Sequence, residues 1–462
     1  MKKHLRALGV CLSLGLAGVL GGAEPALPPN QMPAQMPAVL TVPKEAQAGP
    51  GFSAEAATNA YLAQIPPSAL ARSNAYFEGG YWLILWNFLL GVAISLLLLN
   101  RRWSSRMRQL AERITRFRFL QTLIYWGQYV LLTYALSFPL NLYEGFLREH
   151  HYGLATQTFG AWLGDEGKGL LLNVILGGLA VALLFAIVRR LQRTWWIWGA
   201  VASLAILVFS ILIGPVFLQP IFNSPKKLSD PKITTPILSL VRANGIPVKD
   251  IYEIDASKQT TRMSANVSGF AGTTRITLND NLIRRGSPEE IQAVMGHEMG
   301  HYVLNHIPKM IEFLLIVIVA LFALLRWSLG WALARWGEAW GVRGVDDPAV
   351  LPLVTLVAGL FLFILTPVMN TYIRTQEHEA DMYGVNASRQ PDGFAQAALH
   401  LAEYRKMSPT PLEEALFYDH PSGRNRIFRV MQWKAENQAL MSQPQVSQPS
   451  AGTTAANPPT PR

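Results

Sequence analysis

Six apolar runs, near residues 79–99, 119–139, 168–188, 195–218, 309–332 and 349–370, are each long enough to cross the hydrocarbon core of a bilayer. A chain with that pattern is mainly α and passes the membrane several times. Composition agrees: half of the 462 residues are hydrophobic and only 15% are charged, too apolar a balance for an ordinary soluble protein. The formal net charge of +10 does not point to nucleic acid. Many of the arginines cluster in short loops between apolar runs, where they set membrane orientation instead.

The stretches 101–118 and 189–193 are strongly basic and are expected on the cytoplasmic side. The loop 140–167 is acidic on balance and falls outside. Counting onward, residues 219–308 and everything after 370 also fall outside. The first residues, "MKKHLRALGVCLSLGLAGVLGGAEP", have a basic start, a short apolar stretch and a small-residue end. This reads as a secretory signal peptide over 1–23, with a retained anchor helix, a seventh span, as the alternative. Residues 24–50 are rich in Pro, Ala and Gln and read as a flexible linker. A helical lead-in over 52–77 precedes the first span, and the tail from 441 to 462 reads as disordered.

Cys11 is the only cysteine, so there is no internal disulfide and no thiolate metal cage. Any metal must be held by His, Asp or Glu. Between the fourth and fifth runs lies a soluble-looking insert. "TTPILSLVRANGIP" predicts a helix stopped by Gly245 and Pro247. "DIYEID", "MSANVSG" and "TRITLND" predict short strands. In "GSPEEIQAVMGHEMGH", Ser287 is a natural N-cap, Pro288 fits the first helical position and Glu290 completes a capping box. This helix is expected over 288–306, with Pro308 kinking or ending it.

His297 and His301 are four apart on that helix, so their side chains leave one face, one turn apart, and can share a metal ion. Glu298 is rotated by about 100° from His297, beside the metal without coordinating it. Two neutral imidazoles and one carboxylate leave a fourth position for water, an arrangement that suits Zn2+. Zinc lowers the pKa of water and polarises a carbonyl, and Glu298 takes the proton as general base. The third ligand is expected just after the last span, in "NTYIRTQEHEADMYGVNAS". Spacing alone does not choose between Glu377, His378 and Glu379. If the segment is helical, Glu377 and Asp381 share a face, and Asp381 can accept a hydrogen bond from a ligand imidazole.

The pattern His-Glu-Met-Gly-His (297–301), two spans, then Glu-His-Glu-Ala-Asp (377–381) resembles the integral-membrane CAAX prenyl endopeptidase family. The bacterial heat-shock membrane metalloproteases look like more distant relatives. "EHHYGLATQT" (149–158), "SANVSGFAGTTRITLNDNLI" (264–283) and "DHPSGRNRI" (419–427) support the match, which covers about 75–430. The resemblance implies a helical membrane barrel around a large water-filled chamber, capped by a zincin-like α+β metallopeptidase domain. It implies Glu377 as third ligand, Asp381 as its supporting partner, and Asn266 on a strand that holds substrate backbone by edge pairing. His420 matches a histidine that stabilises the tetrahedral oxyanion, and Arg374 and Arg426 match positions that orient carboxylates. Val267 stands where the family usually has an aromatic, and Ile373 where a serine is expected; substrate contacts differ accordingly.

The expected organisation is therefore a four-span domain over 79–218 after a lead-in over 24–78, then a metallopeptidase domain over 219–440 that includes the spans 309–332 and 349–370. The expected function is a zinc endopeptidase, one ion per chain, acting on peptides or membrane-protein segments in the bilayer of a bacterial inner membrane, its site toward the periplasm. The eukaryotic members present theirs to the cytosol, and prenylation is not assumed for a chain with this leader, so the CAAX substrate is not carried over. A metal-binding scaffold or chaperone without proteolysis is the alternative; Glu298 speaks against it, because a structural zinc site needs no such base and usually closes its fourth position. A transporter would carry ionisable groups in mid-span, and these runs carry few.

Overall fold

The computed structural model describes residues 40–268 and 274–441. The leader at 1–23 and nearly all of the expected disordered tail lie outside the described residues. The main helices are α1 (Ala54–Leu62), α2 (Pro67–Asn100), α3 (Trp103–Ile114), α4 (Arg118–Leu142), α5 (Phe159–Arg190) and α6 (Trp195–Ile213). After the short strand β1 (Lys226–Lys227) come α7 (Pro231–Ala243), β2 (Ile251–Ile254), β3 (Ala265–Ser268), β4 (Arg275–Asn279), α8 (Asp280–Arg285) and α9 (Pro288–Val303). The chain closes with α10 (His306–Trp340), α11 (Leu351–Ser388), α12 (Pro391–His400), α13 (Pro411–Phe417) and α14 (Gly423–Glu436).

Five helices, α2, α5, α6, α10 and α11, are long and apolar enough to cross a membrane. The sixth expected span, 119–139, lies in α4, which is long enough but is diluted by Gln121, Thr122, Gln128, Thr133 and several tyrosines. Neighbour packing nevertheless runs in a closed ring: α2 on α4, α4 on α5, α5 on α6, α6 on α10, α10 on α11, and α11 back on α2. Polar side chains of α4 find partners on its own backbone, on α3 and on α11. Tyr129 Oη lies 2.7 Å from Thr355 Oγ1, and Tyr125 Oη 2.6 Å from Ser104 Oγ.

The connecting segments gather at two ends. At one, Arg102 Nε donates to Ala339 O at 2.8 Å, Arg108 pairs with Asp347, Arg189 Nη1 donates to Arg118 O at 3.2 Å, and Arg326 Nη1 to Arg193 O at 2.7 Å. Both basic loops are therefore on one end. At the other end, Ala155 bridges to Thr260, Glu149 pairs with Arg262 at 2.7 Å, and Tyr372 Oη donates to Lys309 O at 2.7 Å. The sheet and α9 belong to this second end.

The three predicted strands form, together with β1, a sheet of order β1-β2-β4-β3. The two-residue β1 has no hydropathy pattern to betray it. β2 runs parallel to β4, while β3 is antiparallel to β4 and forms an edge of the sheet. The apolar side of this sheet packs with α7 and α9 through Ile237, Val241, Ile276, Leu278, Met295 and Met299. Gly245, at φ +67°, ends α7 as expected.

Two expectations need correction. The stretch 24–50 is not a free linker where it is described: Leu40 O accepts from Gln396 at 3.0 Å, Ala46 O accepts from Lys434 Nζ at 2.6 Å, and both residues enter the core built by α1, α12 and α14. The helix of the His pair ends at Val303 rather than 306. Asn305 then takes a left-handed conformation, φ 56°, and a new helix starts at His306. Pro308 stands in its first turn, where a missing N–H costs nothing.

Candidate active site

α9 starts on the predicted capping box: Ser287 Oγ accepts from Glu290 N at 3.2 Å, and Glu290 Oε2 accepts from Ser287 N at 2.6 Å. α9 then crosses α11 almost backbone to backbone. A Cβ on Gly296 would stand 2.7 Å from Gly384 O, and one on Gly384 would stand 2.6 Å from His297 N. Gly300 lies as closely against Ala380, 3.0 Å from its Cα. These glycines let the face carrying His297 and His301 meet the face carrying Glu377 and Asp381.

At the crossing, His297 Nε2 and His301 Nε2 are 3.1 Å apart, Glu377 Oε2 is 3.3 Å from the first, and Glu377 Oε1 is 3.4 Å from the second. Metal–ligand bonds of about 2.0–2.2 Å in tetrahedral array put donors roughly 3.3–3.5 Å apart, so the trio fits one small divalent cation. The hydrogen-bond partners agree. His297 Nδ1 faces Asp381 Oδ1 at 2.8 Å, which places its proton on Nδ1 and leaves the Nε2 lone pair free. Glu377 Oε2 is buried, and its near neighbours are the ring nitrogens His297 Nε2 at 3.3 Å and His420 Nε2 at 3.2 Å. His297, His301 and Glu377 form the one group of this kind among the described residues.

His301 is supported by a chain of contacts that sequence reading missed. Its Nδ1 lies 2.9 Å from His306 Nδ1, and His306 Nε2 lies 3.1 Å from Glu379 Oε2, which Lys309 Nζ also reaches at 3.1 Å. Glu379 fixes a proton on His306 Nε2, so His306 Nδ1 accepts from His301 Nδ1–H and the second lone pair also faces the cluster. The turn at Asn305 brings His306 back beside His301, and nothing in the local spacing foretold it. His306→Ala is expected to weaken metal retention about 10–100-fold, measured by competition with a chromogenic chelator.

In space Glu377 lies with the two histidines, Glu379 meets His306, and His378 makes neither contact. Arg426 donates through Nε to Asp381 Oδ2 at 2.9 Å and through Nη2 to Oδ1, so the buried Asp381 holds both a ligand ring and a guanidinium. Among the described residues Arg374 meets no carboxylate. It donates to the backbone oxygens of Glu414, at 2.8 Å, and Tyr418, anchoring the segment that carries His420. His420 Nδ1 lies 2.8 Å from Asp419 Oδ1, and its Nε2 lies 3.2 Å from Glu377 Oε2. Asn266 sits on β3 opposite Thr277, its Oδ1 buried without a donor.

A cavity of about 220 Å3 opens on this cluster, lined by His297, Glu298, His420, Arg426 and the lead-in to β3, Met263, Ser264 and Ala265. Burial pushes the Glu298 carboxyl up to about 7, offset in part by His297. Burial lowers His301 to about 4, so that ring is neutral. At His297 burial also favours the neutral ring, but the carboxylates of Asp381 and Glu377 outweigh it and raise the ring, so a cation binding at Nε2 would displace a proton there. Asp419 is kept at about 2: burial opposes its charge, and His420 and Arg405 overcome that.

A ring of spanning helices, one of which, α11, is crossed by α9 at a His-His-Glu cluster, fits a membrane metallopeptidase. Comparison with known proteins agrees along the chain. The model of peptidase family M48 matches residues 227–434, and that of the CAAX prenyl protease N-terminal region, five membrane helices, matches 54–224. The chain belongs to this family of multi-pass CAAX protease-like metallopeptidases. It is 27% identical over 363 residues to the metalloprotease YhfN of Bacillus subtilis, covering 78% of this chain and 85% of that one. It is 29% identical over 327 residues to CAAX prenyl protease 1 of Saccharomyces cerevisiae, covering 66% and 71%. The fold is that of the crystal structure of S. mikatae Ste24p, with a TM-score of 0.69 at 24% identity, over 79% of this chain and 89% of that one.

Proposed function

We propose that the protein is a zinc endopeptidase of a bacterial inner membrane that hydrolyses peptide bonds in peptides or membrane-associated proteins. The observation that carries this reading is the convergence of His297, His301 and Glu377 at metal-ligand spacing, with Glu298 on the wall of the adjoining cavity. Zinc bound by these three residues would polarise the scissile carbonyl and make water acidic. Glu298, poised near neutrality, takes a water proton as the water oxygen attacks the carbonyl carbon. The same carboxyl returns the proton to the leaving nitrogen as the C–N bond breaks. His420, held through Nδ1 by Asp419, presents Nε2 toward the developing oxyanion.

Asp381 and Arg426 fix the tautomer and angle of His297. Asn266 and the free edge of β3 would hold the substrate backbone as an added strand, and Arg374 keeps the His420 segment in place. A merely metal-holding scaffold gains nothing from a carboxyl at position 298. The substrate of the yeast relative is not carried to this chain, whose Val267 and Ile373 depart from that pattern.

Purified protein is expected to hold one zinc per chain and to cleave an unstructured peptide until a chelator is added. Protein that carries the metal and cleaves nothing would overturn the reading. Both basic loops share the end opposite α9, and the exposed Trp327 and Trp331 stand on the part of α10 that approaches that end. We therefore place the site on the periplasmic side. A reporter fused after residue 440 is expected to report an extracytoplasmic position; a cytoplasmic signal contradicts the placement.

A further inference from the structure

A second cavity, of about 400 Å3, adjoins the first: Tyr404 and Arg405 line both. Its walls are mostly aromatic and apolar, with Phe77, Tyr81, Ile84 and Phe417, but Arg148 also faces it. Arg148 is only 7% exposed. Its guanidinium lies over the Tyr76 ring, 3.9 Å from the centroid, and donates through Nη2 to Tyr76 O. Among the described residues no carboxylate lies within ion-pair distance of it. The acidic groups nearby are already engaged: Glu149 by Arg262 at 2.7 Å, and Asp419 by Arg405 and His420. The charged side chains lining this cavity are Arg148, Arg405 and Asp419, so one positive charge is left over.

A buried charge is normally paired, and an intramembrane or near-membrane ionisable group without a partner is kept where it meets a ligand. A guanidinium is a planar fork of donors that matches a carboxylate. Gly79 and Gly80 stand beside the Arg148 guanidinium and carry no side chain to cover it. The aromatic lining suits apolar side chains next to the anchored anion.

We propose that Arg148 binds a carboxylate of the substrate, making the second cavity an anion-anchoring subsite beside the catalytic centre. The inference rests on the peptidase reading for the direction from which a substrate arrives. The carboxylate is either the end of a chain or an acidic side chain, and the two sources separate by experiment. If Arg148 were only a staple on Tyr76, its replacement would alter the binding of every peptide alike.

The test uses full-length protein carrying Glu298→Gln, so that bound peptide is not consumed. Three fluorescein-labelled forms of one short apolar peptide serve as probes: a free C-terminal acid, the C-terminal amide, and the amide with glutamate next to last. Fluorescence anisotropy is expected to show tighter binding, by about tenfold or more, for a carboxylate-bearing form than for the neutral amide. Preference for the free acid alone assigns the chain end; preference for both assigns any nearby carboxylate. Arg148→Gln should abolish the preference, and Arg148→Lys should retain part of it. Equal binding of all three forms by the parent, a comparison that needs no substitution at 148, overturns the proposal. So does a preference that survives in Arg148→Gln. Cleavage by the Glu298 protein, read separately on the same peptides, decides the peptidase reading: a carboxylate preference without cleavage sinks that reading and leaves the subsite standing.

Discussion

Glutamine at position 298 is expected to lower peptide hydrolysis by about 10²–10⁴-fold while the protein keeps its metal. The substitution preserves the shape of the side chain and removes only its ability to take and return a proton. Glu298 is not among the three donors that surround the cation position, so the metal content should stay at one per chain. Its carboxyl, raised by burial to about 7, is matched to proton transfer near neutral pH. A substitution that cost the metal would lose activity for a different reason, and measuring zinc on the same preparation separates the two. Parental rates from Glu298→Gln would mean that another group moves the proton.

The second large effect is expected at Asp381. Its carboxylate is 1% exposed and serves two partners at once, His297 Nδ1 and the Arg426 guanidinium. Asp381→Ala leaves that guanidinium buried without a counter-charge, which costs about 3–5 kcal/mol, and releases the His297 ring from its tautomer. We expect a marked fall in the unfolding midpoint in detergent, together with loss of zinc to a weak chelator. Asp381→Asn keeps the volume and one acceptor. Because its amide does not balance the Arg426 charge, it should recover only part of the stability, and because it supports His297 Nδ1–H less well than a carboxylate, metal affinity should stay reduced. Equal stability of the alanine variant and the parent would show that Arg426 finds another partner.

The parts of this site that were legible in the sequence are those fixed by one helix. The spacing of His297 and His301 follows from the helical period, and Ser287 with Glu290 announced where that helix begins. The strands around Ile251, Ala265 and Arg275 were marked by β-branched residues between turn signals. What could not be read depends on how separate helices meet. By spacing alone Glu377 was indistinguishable from His378 and Glu379, and only the resemblance singled it out; the close approach at Gly296, Gly300 and Gly384 is what brings it beside the histidines. The glycines were in plain view, but a glycine's use as a contact surface shows only against its partner. His306 escaped because the left-handed turn at Asn305 reverses the chain where helical periodicity predicted continuation. Arg374 was expected on a carboxylate and instead caps backbone carbonyls, since α13 and the segment after it pass over it. Residues 40–50 read as linker because their composition is Pro- and Ala-rich, yet two of their carbonyls are claimed by Gln396 and Lys434. The α4 helix carries polar groups that lower its apolarity, and these are hydrogen-bonded to its own backbone, to α3 and to α11.

The most direct test of the account is a zinc-edge anomalous diffraction or X-ray absorption measurement on the purified, unmodified protein. The account predicts one zinc per chain, bonded at about 2.0–2.2 Å to Nε2 of His297, Nε2 of His301 and a carboxylate oxygen of Glu377. A zinc bound elsewhere, or one that both histidines hold while Glu377 stays beyond bonding distance, would contradict it.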